Sequence, residues 1–320
     1  MIAWAINLGS IISLVIHLLP IIGKLRAPVA DTANIISLAT ALWPLLLGAA
    51  YLRLDVVIDR IWASELDAGS VTQIGFANRI LMALLAIGTS SFALIAFPQL
   101  AEKYAVRGDA GFVEHFALCM RRMAVMIVPI SVGVSVFSIQ IVADLLEGGK
   151  FSSDDSLIVG RLITLSMGMF IGASMGELLA RGFYVLGDTR SPTIIGVVSL
   201  TIGLVLKYLL FKNIGIWGIA IGVSIYYLLS ASSLTLLLAK RMTLGVYRGL
   251  PAVVAQALAA SLAACAACYV IYEYGGGSTW LAAPVGGVTY LLGLLLMRNE
   301  DAHLIWREVW QRISLLGKRH

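Results

Sequence analysis

Long apolar stretches alternate with short polar connections along almost the entire chain. By length they fall at 2–22, 36–61, 70–98, 120–146, 157–185, 193–211, 214–239, 251–273 and 279–297. Each is close to or longer than the roughly 20 residues with which a helix crosses about 30 Å of hydrocarbon. None alternates strictly between apolar and polar positions, and all exceed the length of a barrel strand. The pattern predicts an all-α, polytopic helical membrane protein with about nine transmembrane helices.

The polar connections are of two kinds. Every second one is basic: Lys24 and Arg26; Lys103, Arg107, Arg121 and Arg122; Arg181 and Arg190; Lys240, Arg241 and Arg248; then Arg298, Arg307, Arg312, Lys318 and Arg319. The alternate connections hold Lys150 and Lys212 among Glu65, Asp67, Glu147, Asp154, Asp155 and Glu273. By the positive-inside rule the first set and the C-terminus are cytoplasmic. The net charge of +5 therefore expresses topology rather than affinity for nucleic acid. A hydrophobic content of 59% with 13% charged residues excludes an ordinary soluble domain. Nine spans with an inside C-terminus put Met1 outside, and the first helix has no leading Lys or Arg, so it is not read as a signal peptide. Such a start leads us to expect that helices preceding it are missing or are supplied by another chain.

The organisation predicted is a first helix and cytoplasmic linker at 1–35, a six-helix lobe at 36–240, a final helix pair at 241–298 and an interfacial tail at 299–320. Ala101–Met120 reads as a short amphipathic helix at the surface, and Trp306 and Trp310 would anchor the tail. Gly172 with Gly176 and Gly218 with Gly222 have the spacing that lets helices approach closely. Pro44, Pro98, Pro129 and Pro192 fall where they would bend or end helices.

No enzymatic constellation is present. His17, His115, His303 and His320 are dispersed, and no phosphate loop or nucleophile elbow occurs. Cys265-x-x-Cys268 has the spacing of a redox or metal pair but lies in an Ala-rich span, where packing is the better reading. Asp154-Asp155 reads as a helix cap rather than a metal site. Neither a cofactor nor a resident metal is expected.

Ionisable residues inside apolar spans are costly, so they carry the functional reading. Arg79 lies about ten residues into its span, and a guanidinium there must face water, a counter-ion or an anionic ligand. Arg53 and Arg60 share one helical face, while Asp55 and Asp59 share another. The two aspartates would bind a coupling ion or proton, or neutralise an arginine; alternatively Asp59, Arg60 and Glu65 mark a helix end. Lys207 would either snorkel outward or turn inward to the acidic stripe. Glu177 and Arg181 form an i,i+4 pair that neutralises itself.

Several segments together resemble the MurJ (MviN) family of lipid II flippases, within the multidrug/oligosaccharidyl-lipid/polysaccharide exporter superfamily. They are Ala63-Ser64 through Gly69-Ser70-Val71, Phe76-Ala77-Asn78-Arg79, Phe97-Pro98-Gln99-Leu100, Gly149-Lys150-Phe151-Ser152 with Asp155, and Gly182-Phe183-Tyr184 followed by Asp188-Thr189-Arg190-Ser191-Pro192. Similarity is clearest over about 40–195. The resemblance implies a bacterial inner-membrane, multi-pass, non-enzymatic transporter of undecaprenyl-pyrophosphate-linked peptidoglycan precursor. Its fold would be the MurJ/MATE-like second lobe, preceded by the family's sixth helix and followed by two extra helices that form a groove for the lipid tail; the first lobe is missing.

By the same resemblance Arg79 matches the second-lobe arginine that contacts the pyrophosphate, and Arg53 is a further substrate-binding candidate. Asp59 matches a residue near a sodium site of some relatives. Lys207 stands where Asn is common, which suggests a tethered ammonium in place of sodium beside Asp59. Coupling by Na+, by H+ or by membrane potential stays open. The departures at Asn78, Met82 and Lys207 also admit another polyprenyl-linked glycan as cargo. A half-protein that acts as a scaffold or pairs with a separate first lobe is a third reading, and cell-wall synthesis proteins are further candidate partners. A drug or cation antiporter of the superfamily is disfavoured by Arg79.

Overall fold

A computed structural model describes residues 51, 54–86, 89, 91–274 and 279–297, all within one compact unit, Tyr51–His320. Predictions for the first helix, for Arg53 and for the 299–320 tail lie outside the described residues. Within them the protein is helical and has no β-sheet; Gly148 and Phe151 alone form an isolated bridge in a tight loop.

The helices are α1 (54–63), α2 (Ser70–Leu85), α3 (Ser91–Leu146), α4 (Ser153–Leu165), α5 (Met167–Val185), α6 (Arg190–Ile214), α7 (Ile216–Met242), α8 (Leu250–Tyr274) and α9 (Thr279–Leu296). Five helical stretches among the described residues are long and apolar enough to cross a membrane, and two shorter apolar helices, Ser70–Leu85 and Ala283–Leu296, accompany them. The multi-pass prediction holds. The described residues do not establish a count of nine, because the first predicted span and most of the second lie outside them.

Two predicted spans and one predicted surface helix are built differently from the sequence reading. The stretch 70–98 divides: α2 ends at Leu85, Ala86 and Thr89 have π-type backbone, and α3 begins at Ser91. The Thr89 hydroxyl donates to the Leu85 carbonyl at 2.8 Å, which gives that carbonyl a partner at the distorted turn. The expected separate surface helix at 101–120 is instead the meeting of two long arms of α3, which change direction at Gly108 (φ 58°, ψ −144°). Only glycine adopts that conformation readily. The arms then lie close enough for Tyr104 and Phe112 to pack edge to face, with ring centroids 6.1 Å apart.

The third difference is a break at Ser166 that turns the predicted 157–185 span into α4 and α5. A broken helix in hydrocarbon needs partners for the backbone groups it frees. Ser224 of α7 supplies both: its hydroxyl donates to the Leu165 carbonyl at 2.6 Å and accepts from the Met169 N–H at 3.2 Å. The approach is allowed by Gly168 and Gly172, where a Cβ would fall 2.7 Å from Ser224 and 2.6 Å from the Tyr227 backbone. Gly176, by contrast, faces open space. The Gly218–Gly222 pair behaves as predicted, packing α7 against Leu210 and Lys207 of α6.

Asp154-Asp155 is a cap as expected. Ser152 and Asp155 form a reciprocal capping box at the start of α4, and Gln73 of α2 donates to Asp155 at 2.8 Å. At the basic end Asp188 accepts from the Ser191 backbone and hydroxyl and from Arg241; these bonds hold its carboxyl below the usual carboxylate range. Glu177 and Arg181 pair at 2.7 Å within α5, as their spacing predicts. Pro98 and Pro129 lie inside α3, and Pro192 lies in the first turn of α6.

Candidate functional site

The most deeply buried cation among the described residues is Lys207 of α6, whose side chain is wholly inaccessible. Its Nζ donates to Asp55 and, at 2.7 Å, to Asp59, both on the buried face of α1. Tyr226 of α7 donates its hydroxyl to the second oxygen of Asp55 at 3.1 Å, and its ring lies 5.9 Å from the ammonium. The i,i+4 spacing of the aspartates presents both carboxylates to one ammonium. Two glycines make the cluster possible. A Cβ at Gly222 would fall 2.6 Å from the Lys207 Cβ, and one at Gly203 would fall 2.3 Å from the Tyr226 Cβ. Three helices thus converge on one lysine, and the cluster carries two carboxylates against one ammonium.

Asp59 also lines a small cavity of about 20 Å³ together with Asn78 of α2 and Ser166 at the break between α4 and α5. That space is near the size of one water. Toward the acidic end, Trp62 stacks on Phe211 (centroids 5.7 Å apart) and meets Tyr208 at 5.6 Å. Lys212 reaches Glu65 at 3.4 Å. This aromatic and charged layer is of the kind found at a membrane interface, and Lys207 lies more than one helical turn along α6 from Lys212.

Arg79 is placed in the opposite way. Its side chain is exposed, its guanidinium carbon lies 5.7 Å from the centre of the Phe76 ring, and no carboxylate pairs with it among the described residues. Phe76 in turn packs edge to face on Phe151, in the tight loop between α3 and α4, with centroids 5.5 Å apart. Met82, one turn along α2, is also exposed. Arg60 is exposed on α1, away from the buried aspartates.

A third feature is an apolar groove of about 530 Å³ between the second arm of α3 and the final helix pair. Pro129, Gly133 and Phe137 line one side; Cys265, Cys268, Gly286 and Tyr290 line the other. Tyr290 ties the pair to the lobe by donating to the Val125 carbonyl at 2.6 Å. Cys265 and Cys268 are both free thiols, and a Cβ at Gly286 would fall 2.3 Å from the Cys268 sulfur, which accords with close packing. No group of His, Cys, Asp or Glu among the described residues has the arrangement of a metal site.

A family model described as "Lipid II flippase MurJ" matches residues 1–280. The chain belongs to the MurJ family. Among its relatives is a lipid II flippase MurJ from Burkholderia cenocepacia, 24% identical over 261 residues, covering 78% of this chain and 49% of that protein. A probable lipid II flippase MurJ from Vibrio cholerae is 23% identical over 192 residues, 60% of this chain and 36% of the relative. The chain thus spans about half, or less, of the length of these curated relatives. A solved structure of "Lipid II flippase MurJ, inward closed conformation" superposes with a TM-score of 0.69 at 16% identity, over 84% of this chain and 56% of the other, and supports the shared fold.

On this MurJ-family frame the candidate residues divide. Asp55, Asp59 and Lys207 come together in one buried cluster; Arg79 does not join them. Gly222, expected from its spacing only as a close-packing residue, joins the neighbourhood, and Tyr226, Gly203 and Ser224 complete it without having been singled out from sequence. Their signal was weak, since a tyrosine or serine in an apolar helix is usually a packing residue.

Proposed function

We propose that this MurJ-family chain is the second-lobe and tail-groove portion of a flippase. It would move lipid II, the undecaprenyl-pyrophosphate-linked peptidoglycan precursor, from the cytoplasmic to the outer leaflet of the bacterial inner membrane by alternating access. The observation that carries this reading is Arg79: a permanent cation in an apolar helix, exposed and without a carboxylate among the described residues. A pyrophosphate offers the anionic oxygens that a guanidinium binds in a bidentate fork. The role is transport rather than catalysis, with the C-terminus in the cytoplasm. A polar headgroup needs such a cationic path because hydrocarbon excludes it.

The apolar groove between α3 and the final helix pair suits the polyprenyl tail. In the cluster at Lys207 the tethered ammonium takes the place of a bound sodium ion, so transport would proceed without sodium. Replacing Lys207 by Asn removes the fixed cation and should confer sodium dependence. A strict sodium requirement with Lys207 intact would overturn that part of the reading.

The experiment for Arg79 is rescue of a MurJ-depleted bacterium by the locus encoding this chain, wild type against Arg79→Ala and Arg79→Lys. The account expects rescue by wild type, none by Arg79→Ala at equal membrane abundance, and partial rescue by Arg79→Lys, which keeps charge but not the fork. Full rescue by Arg79→Ala rejects the proposed role. Failure of the wild type to rescue, with rescue of a strain lacking another polyprenyl-linked glycan exporter, would reassign the cargo.

A further inference from the structure

At the basic end of the lobe, the two arms of α3 enclose a cavity of about 360 Å³ beside their corner at Gly108. Lys103 and Arg107 line it from one arm, and Glu114, His115 and Arg121 from the other. Gly111 brings the arms together; a Cβ there would fall 2.4 Å from the Lys103 carbonyl oxygen. Three permanent or near-permanent cations therefore face one carboxylate. Two of them are already oriented: Arg107 by Glu114 at 2.8 Å, and Arg121 by donating to the Arg248 carbonyl at 3.0 Å. His115 Nε2 is buried and has no hydrogen-bond partner. The imidazole thus stands beside the cavity without a partner at that nitrogen, placed to register a charge that enters.

We propose that this cavity binds a phosphate group, presented either by an anionic lipid headgroup or as free inorganic phosphate. Lys103 acts as a point charge and Arg107 offers its planar donors, while His115 lines the cavity close enough to sense the bound charge. Glu114 orients Arg107 and limits the excess charge when the cavity holds no anion. The corner lies in one of the basic connections, at the end of the apolar part of α3, where headgroup phosphates would be within reach. This site is separate from Arg79, and its existence does not depend on the transport reading.

The test uses the full chain purified in detergent and offered equal amounts of phosphatidylglycerol and phosphatidylcholine, with the retained lipid measured by mass spectrometry. Lys103 and Arg107 are exposed, so Lys103→Gln with Arg107→Gln should leave the fold intact. The double variant should lose about tenfold in phosphatidylglycerol preference, the effect of removing charge-assisted contacts. Lys240→Gln, a basic residue outside the cavity, should not. A second arm follows the imidazole resonance of His115, assigned by its loss in His115→Gln, as inorganic phosphate is added. A lipid preference that the double variant loses supports the site with a headgroup as the source. Movement of the His115 resonance with phosphate alone supports it with free phosphate as the source. Equal loss of preference in Lys240→Gln, or no effect in either arm, overturns the proposal.

Discussion

Lys207 and Arg79 are both cations in apolar helices of one lobe, and they meet the cost of charge in opposite ways. Lys207 is sealed from solvent between two carboxylates and beside a tyrosine ring, with Gly222 leaving room for its stem. Arg79 is exposed, rests over Phe76, and has no carboxylate partner among the described residues. A charge that cannot be hydrated must carry its counter-ions with it; a charge that is hydrated can keep its valence for a ligand. Lys207 thus has its counter-ions built into the fold, whereas the role proposed for Arg79 is to meet an anion that a ligand brings.

Breaking the sealed side should have the largest effect. Lys207→Ala leaves two carboxylates buried without a cation and should cost about 3–5 kcal/mol of stability. Thermal unfolding of the purified variant measures this, and Lys207→Met combined with Asp55→Asn and Asp59→Asn should recover a large part of it. If the single variant unfolds at the wild-type temperature, the buried ion cluster has been misjudged. Next in size, Asp55→Asn weakens the bonds from both Lys207 and Tyr226 and should cost roughly 1.5–3 kcal/mol. Tyr226→Phe removes only one neutral donor and should cost about 1 kcal/mol, read as a shift in unfolding midpoint. On the open side, Arg79→Ala should change stability by no more than about 0.5 kcal/mol, as at other exposed positions, while abolishing transport. A destabilisation as large as that of Lys207→Ala would place Arg79 in the structural class and dissolve the contrast.

Much of this arrangement was legible in the sequence. Apolar run length identifies α6 to α9 almost to their ends, because the hydrocarbon thickness sets a helix length that tertiary packing cannot alter much. The i,i+4 spacing of Asp55 and Asp59, and of Glu177 and Arg181, placed each pair on one face for the same geometric reason. Whether Lys207 turned inward was not legible, because a lysine stem reaches the interface or the core equally well. The space that decides the matter is left by Gly222 of the neighbouring helix α7, while Gly203 of α6 itself makes room for Tyr226. The breaks at Ser166 and beyond Leu85 were missed because hydropathy averages over a window and registers no change when a helix interrupts its hydrogen bonds. Their satisfaction by Ser224 and Thr89 is a tertiary and a local event respectively. The corner at Gly108 fell in a polar stretch, where composition announced a surface segment but not a reversal between two helical arms.

The central claim is that position 79 opens to water that an anionic headgroup can enter. The direct measurement is the reactivity of Arg79→Cys toward a charged, membrane-impermeant thiol reagent, with Cys119, Cys265 and Cys268 replaced by Ala and both faces of the membrane accessible. A thiol reacts through its thiolate, which forms in water and not against acyl chains. The account predicts rapid labelling that slows when lipid II is added. A thiol at 79 that stays unreactive in the folded protein, while an exposed control such as Lys240→Cys labels fully, would contradict it.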